Sequence, residues 1–142
     1  QPPLATTNSI PLNLYCQGIV TMNKNAKRWV AALRSGEFKQ GRGVLRVGDL
    51  FCCLGVSCEL AVRAGVDIDM TVVNNAFTYN GHAFSLPANV RLWLGLTTEK
   101  GEYIDAIGSR GSLTADNDNG VSFAQIANTI EAHESELFVK ED

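Results

Sequence analysis

Residues 50–62 read LFCCLGVSCELAV, the longest mostly apolar run in a chain of 142 residues. Its cysteines, alanine, glycine and branched aliphatics are types that protein interiors accept almost without exposure. The run falls short of the roughly 20 residues that cross a bilayer, so protein must wrap it. Read at helical spacing over about residues 54–64, it puts Leu54, Cys58, Ala61 and Val62 on one face and Val56 and Leu60 on another. Glu59 and Arg63, four residues apart, form the only wet edge, and Gly65 stops the helix. A helix apolar nearly all round is a buried one, and the rest of the fold is expected to surround it.

Upstream of this helix, residues 41–52 read as a small hairpin, with strands at 44–46 and 50–52 around Gly48 and Asp49. Before it, Ala26, Trp29, Val30 and Leu33 fall at helical spacing, with Lys24, Lys27, Arg28 and Arg34 on the other side. Asn23 or Asn25 can cap this first helix, and Ser35 and Gly36 end it. Residues 1–21 differ in character from the remainder of the chain: they carry no charged side chain and three of the four prolines. They are expected to be an N-terminal extension outside a single globular domain, residues 22–142, although Leu12, Leu14, Ile19 and Val20 suit an edge strand.

Downstream, residues 66–73 read as a loop or weak strand. Phe77 to Tyr79, Asn80-Gly81 and His82 to Phe84 carry the strongest short hairpin signal. Pro87 opens a short helix in which Val90, Trp93 and Leu94 face inward and Gly95 caps the end. Residues 102–107 suit one more strand, and residues 108–120 are rich in turn formers. Ser122 caps a last helix lined by Phe123, Ile126, Ala127 and Ile130, after which an acidic tail offers Leu137 and Phe138 as late contacts. Hairpins and helices interleave without a βαβ rhythm, so the class is α+β: three to four helices, one of them central and buried, with short β-hairpins.

The net charge of −3 conceals an asymmetry. Residues 22–48 hold seven Lys or Arg and one Glu, a balance of +6, whereas residues 99–142 hold ten acids and three bases, a balance of −7. Attraction between the two halves, within a monomer or between subunits, is the economical outcome. Cys52, Cys53 and Cys58 lie in the apolar run and adjacent cysteines bridge poorly, so buried free thiols in a reducing compartment are expected. With no signal peptide and no spanning segment in this sequence, the expected setting is cytoplasmic.

No pattern points to catalysis. Cys53 and Cys58 are separated by four residues, with His82 and His133 isolated, which does not suit zinc, and no metal or cofactor is expected. Residues 116–120, DNDNG, fail the calcium-loop register: with Gly120 at the sixth position, Ala115 falls at the first and Ile126 at the twelfth. Ser57 lacks the second glycine of a nucleophile elbow, and residues 108–112, GSRGS, lack the full phosphate-loop pattern. Residues 120–127 resemble the first helix of a helix-turn-helix, yet Glu131, Glu134, Glu136 and Glu141 come next, where phosphates would have to bind.

Four stretches, NAKRWVAALRSG (25–36), FCCLGVSCEL (51–60), LPANVRLWLGL (86–96) and LTADNDNGVSFAQIANTI (113–130), together resemble small uncharacterised proteins encoded by tailed bacteriophages and other mobile elements, integron gene cassettes among them. The resemblance spans residues 22 to about 134 and implies a genetic setting in accessory bacterial DNA, without a mechanism. The expectation is a non-catalytic binding or protein-interaction module that acts through protein contacts and self-association. The alternative is a nucleic-acid or small-ligand binder using Lys27, Arg28, Arg34, Arg42 and Arg46 of the first helix and hairpin.

Overall fold

The computed structural model describes residues 22–140. Residues 1–21, with Cys16 and the edge strand expected from Leu12, Leu14, Ile19 and Val20, and residues 141–142 lie outside the described residues.

Helix α1 (Lys24–Ser35) begins at Asn23, whose side chain accepts the Ala26 N–H, and ends on Gly36 in the left-handed region. Three short strands come next: β1 (Lys39–Gln40), β2 (Arg46–Val47) and β3 (Leu50–Phe51). Helix α2 (Cys53–Arg63) is the apolar run, and strands β4 (Met70–Val73) and β5 (Ala76–Tyr79) come after it. Helix α3 (Ala88–Leu94), strands β6 (Glu102–Ile104) and β7 (Arg110–Ser112), and helices α4 (Leu113–Asp118), α5 (Phe123–Ala132) and α6 (Glu134–Leu137) complete the described chain. The class is α+β. One five-stranded sheet runs in the order β1-β3-β2-β5-β4, and β6 and β7 pair separately. Only β1 and β3 are parallel among these pairs; the others are antiparallel.

The expected central helix is central. Seven of its residues are buried, from Cys53 to Cys58 and again at Ala61, and α1, α3 and α4 pack against it. A buried helix start must find partners for its orphan N–H groups. Here the Cys52 thiol accepts the Gly55 N–H at 3.4 Å, and Asn117 of α4 accepts the Cys53 N–H at 3.1 Å. Gly55 lets this start lie on the Leu45 backbone, since a Cβ there would meet the Leu45 carbonyl oxygen at 1.8 Å. Trp29 of α1, fully buried, donates its indole N–H to the Cys53 carbonyl at 2.8 Å.

Several expectations need correction. The long hairpin is built on Asn74-Asn75, both at positive φ, and joins β4 to β5. Asn80-Gly81 does form a tight turn with both φ positive, but it closes a single Tyr79–His82 bridge, because Ala83 turns away and its carbonyl accepts the Leu45 N–H. The turn-rich stretch holds a helix, α4, started by the Ser112 hydroxyl accepting the Ala115 N–H. Together with the single-turn α6, it adds to the four helices expected. Trp93 and Val62 are half-buried at the margin of the core. The chain does not trail away after α5: Leu137 and Phe138 are buried, and the Leu137 carbonyl accepts the Thr97 N–H.

Candidate binding groove

Helix α1 packs along α5, and a concavity of about 410 Å³ lies on this pair. Its floor is apolar, from Met22, Val30 and Ala31. Lys27, Val30, Ala31 and Arg34 reach it together because residues three, four and seven apart share one helix face. Glu131 of α5 forms the opposite wall and accepts both arms of the Arg34 guanidinium, at 2.6 and 3.0 Å, while Asn128 takes a third bond at 2.7 Å. The hydrogen bonds from Arg34 hold the Glu131 carboxyl below its usual range. The Lys27 side chain, exposed, meets no hydrogen-bond or ion-pair partner among the described residues, and the same holds for the side chains of Lys24, one turn before it, and Arg28, next to it. Three cations in the first turns of a helix oppose its macrodipole, and α1 has no acid in its first turn to offset them.

The five cations singled out from the sequence therefore separate. Lys27 and Arg34 share the groove, and Arg28 sits beside it on the exposed face of α1. Arg42 lies exposed in the loop after β1, its guanidinium beside Gly120. Arg46 goes elsewhere: its guanidinium lies 3.8 Å from the centroid of Phe77 and 4.7 Å from that of Phe51, donates to the Gly48 carbonyl at 2.8 Å, and pairs with Glu59 at 3.5 Å. Stacked and half-buried, Arg46 staples the sheet to α2.

The polar run 116–118 is structural. Asp116 accepts the Tyr103 hydroxyl, Asp118 accepts the Gly43 N–H at 2.8 Å, and the fully buried Asn117 is a hub. Its oxygen accepts from Cys53 and from the Gln40 amide at 2.9 Å, while its own amide donates to the Gly41 carbonyl at 2.7 Å. Sequence reasoning misses Asn117; its spacing of four residues from the apolar Leu113, which puts both on one helix face, is the available signal. Asp105 holds the turn before Arg110 by accepting the Ile107 and Ser109 N–H groups.

The three thiols of the apolar run are free and buried, as expected. Burial pushes Cys52 up to about 11 and raises Cys53 and Cys58 as well. Such thiols are poor nucleophiles at neutral pH. Among the described residues no three His, Cys, Asp or Glu side chains gather as a metal site, and no helix is long and apolar enough to cross a membrane. The helix-turn-helix geometry does not form either, because the helix after α5, α6, is a single turn carrying Glu134 and Glu136.

A small α+β domain with an amphipathic helix–helix groove is thus defined. Residues 22–134 match the family described as "Domain of unknown function (DUF8296)", and the chain belongs to that family. No curated protein and no solved structure matches it.

Proposed function

We propose that the protein is a non-catalytic interaction module of the bacterial cytoplasm, an accessory product of mobile DNA, whose α1–α5 groove takes an acidic, amphipathic segment of a partner protein. The observation that carries this reading is the pairing of an apolar floor with a lysine side chain, Lys27, that is unpaired among the described residues, as are its neighbours Lys24, one turn before it, and Arg28, next to it. A segment with leucine-like side chains for Val30 and Ala31 and carboxylates for Lys27 and Arg28 satisfies both. The buried thiols accord with a reducing compartment. Phage or integron origin rests on the resemblance of the four stretches.

The test is titration of isotope-labelled protein with a synthetic helical peptide alternating leucine and glutamate on one face, set against a random-sequence DNA duplex. The expected result is saturable peptide-induced shifts at the amides of Lys27, Val30, Ala31 and Arg34, weakened severalfold by Lys27→Glu. Tight duplex binding at physiological salt, or peptide shifts that bypass α1, would overturn the reading. A steep fall of duplex binding with salt would instead favour the nucleic-acid alternative.

A further inference from the structure

We infer that β4 is a homodimerisation edge, on which a second copy of this chain adds its own β4 antiparallel about a two-fold axis at Thr71. This surface is separate from the α1–α5 groove and does not depend on it.

Strand β4 ends the sheet order, so one side of its backbone has no neighbouring strand among the described residues. Its pairing with β5 decides which groups face that side. The register sets Met70 opposite Tyr79, Thr71 opposite Thr78, Val72 opposite Phe77 and Val73 opposite Ala76. One residue before the strand, the Asp69 carbonyl accepts the Asn80 N–H at 2.7 Å, which marks residue 69 as a hydrogen-bonded position. Antiparallel ladders alternate, so 71 and 73 also bond to β5, whereas the N–H and C=O groups of Met70 and Val72 point to the open edge.

Among the described residues that edge is unprotected. Natural sheets blunt their edges with lysine, proline, bulges or a covering element. The opposite edge obeys this practice: β1 is two residues long and carries Lys39, which reaches Asp49. In β4 the sequence is Met-Thr-Val-Val, all four residues are exposed, and Val73 is 63% exposed.

The outward positions select the partner and its register. If Met70 bonds Val72 of the second copy, Val72 bonds the second copy's Met70, and the four open groups of each strand find partners at once. Thr71 then faces its own symmetry mate across the axis at a non-hydrogen-bonded pair, where side chains approach most closely and threonine pairs are favourable. Met70 and the second copy's Val72 lie side by side on the face that carries Tyr79 and Phe77. Charge agrees with this direction: Asp69 falls opposite Val73 of the second copy, whereas a parallel in-register arrangement would place the two Asp69 carboxylates together. The product is one continuous ten-stranded sheet.

Sedimentation of the full chain across its soluble concentration range tests the inference. The expected result is a concentration-dependent doubling of mass. Thr71→Lys, which sets two ammonium groups face to face on the axis, should return the mass to that of a monomer, as should Thr71→Glu alone. An equimolar mixture of these two variants should restore the dimer, a result that requires the antiparallel register at Thr71. Val72→Pro should also yield a monomer, since it removes an N–H used only by the partner. A wild-type chain that stays monomeric, a dimer unmoved by Thr71→Lys, or a mixture that stays monomeric while circular dichroism shows both variants folded would overturn it.

Discussion

Asn117, fully buried, carries three hydrogen bonds at the junction of α4, the start of α2 and the loop after β1. Replacing it by Ala strands the Cys53 N–H and the Gly41 carbonyl, while the Gln40 amide keeps only its bond to the Val121 carbonyl, at 2.8 Å. At about 1–3 kcal/mol for an unsatisfied buried group, partly relieved by water, a loss of about 2–4 kcal/mol is expected in urea unfolding. Tyr79 predicts the opposite sign. Its hydroxyl is buried without a hydrogen-bond partner, and burial pushes its pKa up to about 12 against the opposing pull of Arg46. Tyr79→Phe removes only that unpaired group, so stability should hold or rise by up to about 1 kcal/mol. A clear drop in the unfolding midpoint would show that the hydroxyl is bonded in solution. These two residues also differ from the side chains that local pattern reveals. Trp29, Leu33, Leu54, Cys58 and Ile126 are buried as their helical spacing requires, because each is placed by its own turn of helix. The partners of Asn117 lie 64 to 77 residues away, and no local pattern announces them.

Among the elements, helices with a period and a cap were legible to within a residue or two. Asn23, Gly36, Gly95 and Ser122 stand where capping rules put them, because caps are local chemistry. Strand pairing was less legible. Asn80-Gly81 is the stronger hairpin signal, yet Asn74-Asn75 turns the long hairpin, because a turn extends only where both flanking segments stay free to pair. At Asn75, with φ of 66°, glycine suits the second turn position better than asparagine. Asn75→Gly should therefore match or exceed the wild type in thermal stability, and Asn75→Val should fall below it. Gly55 shows what a helical pattern hides. Its place inside a helix looks costly until the Leu45 carbonyl is seen against it. Gly55→Ala must push α2 off the β2 approach, and a loss of about 3 kcal/mol or more, read from chemical denaturation, is expected from overpacking against backbone.

Across the whole molecule, the charge asymmetry was plain in the sequence, but its use was not. Arg34 and Glu131 join the basic and acidic segments by an ion pair. Other acidic contacts to distant parts take backbone donors instead: Glu134 accepts the Met22 N–H, Asp118 that of Gly43, and Glu136 that of Ile104. Composition reports charge and is blind to orphan N–H groups, so attraction between the halves could be foreseen while its hydrogen-bonded form could not. The consequence is a defined response to acid. The Ile104 N–H, and after it His133, hold Glu136 below its usual range, just as Arg34 holds Glu131. A carboxyl whose folded pKa lies below its unfolded one stabilises the fold above the unfolded value, and that stabilisation is lost as pH falls through the folded value. The window accordingly opens below the ordinary glutamate pKa of about 4.3. Acidification through it should loosen α6 from β6 and α5 from α1 while the core around α2, which holds no carboxylate among its buried residues, persists. The Ile104 amide resonance, followed by NMR, should report the Glu136 titration with a midpoint below that value. Glu136→Gln, which keeps an acceptor and removes the charge, should abolish that inflection without unfolding the chain; an unchanged titration curve in the variant would show that another group drives the response.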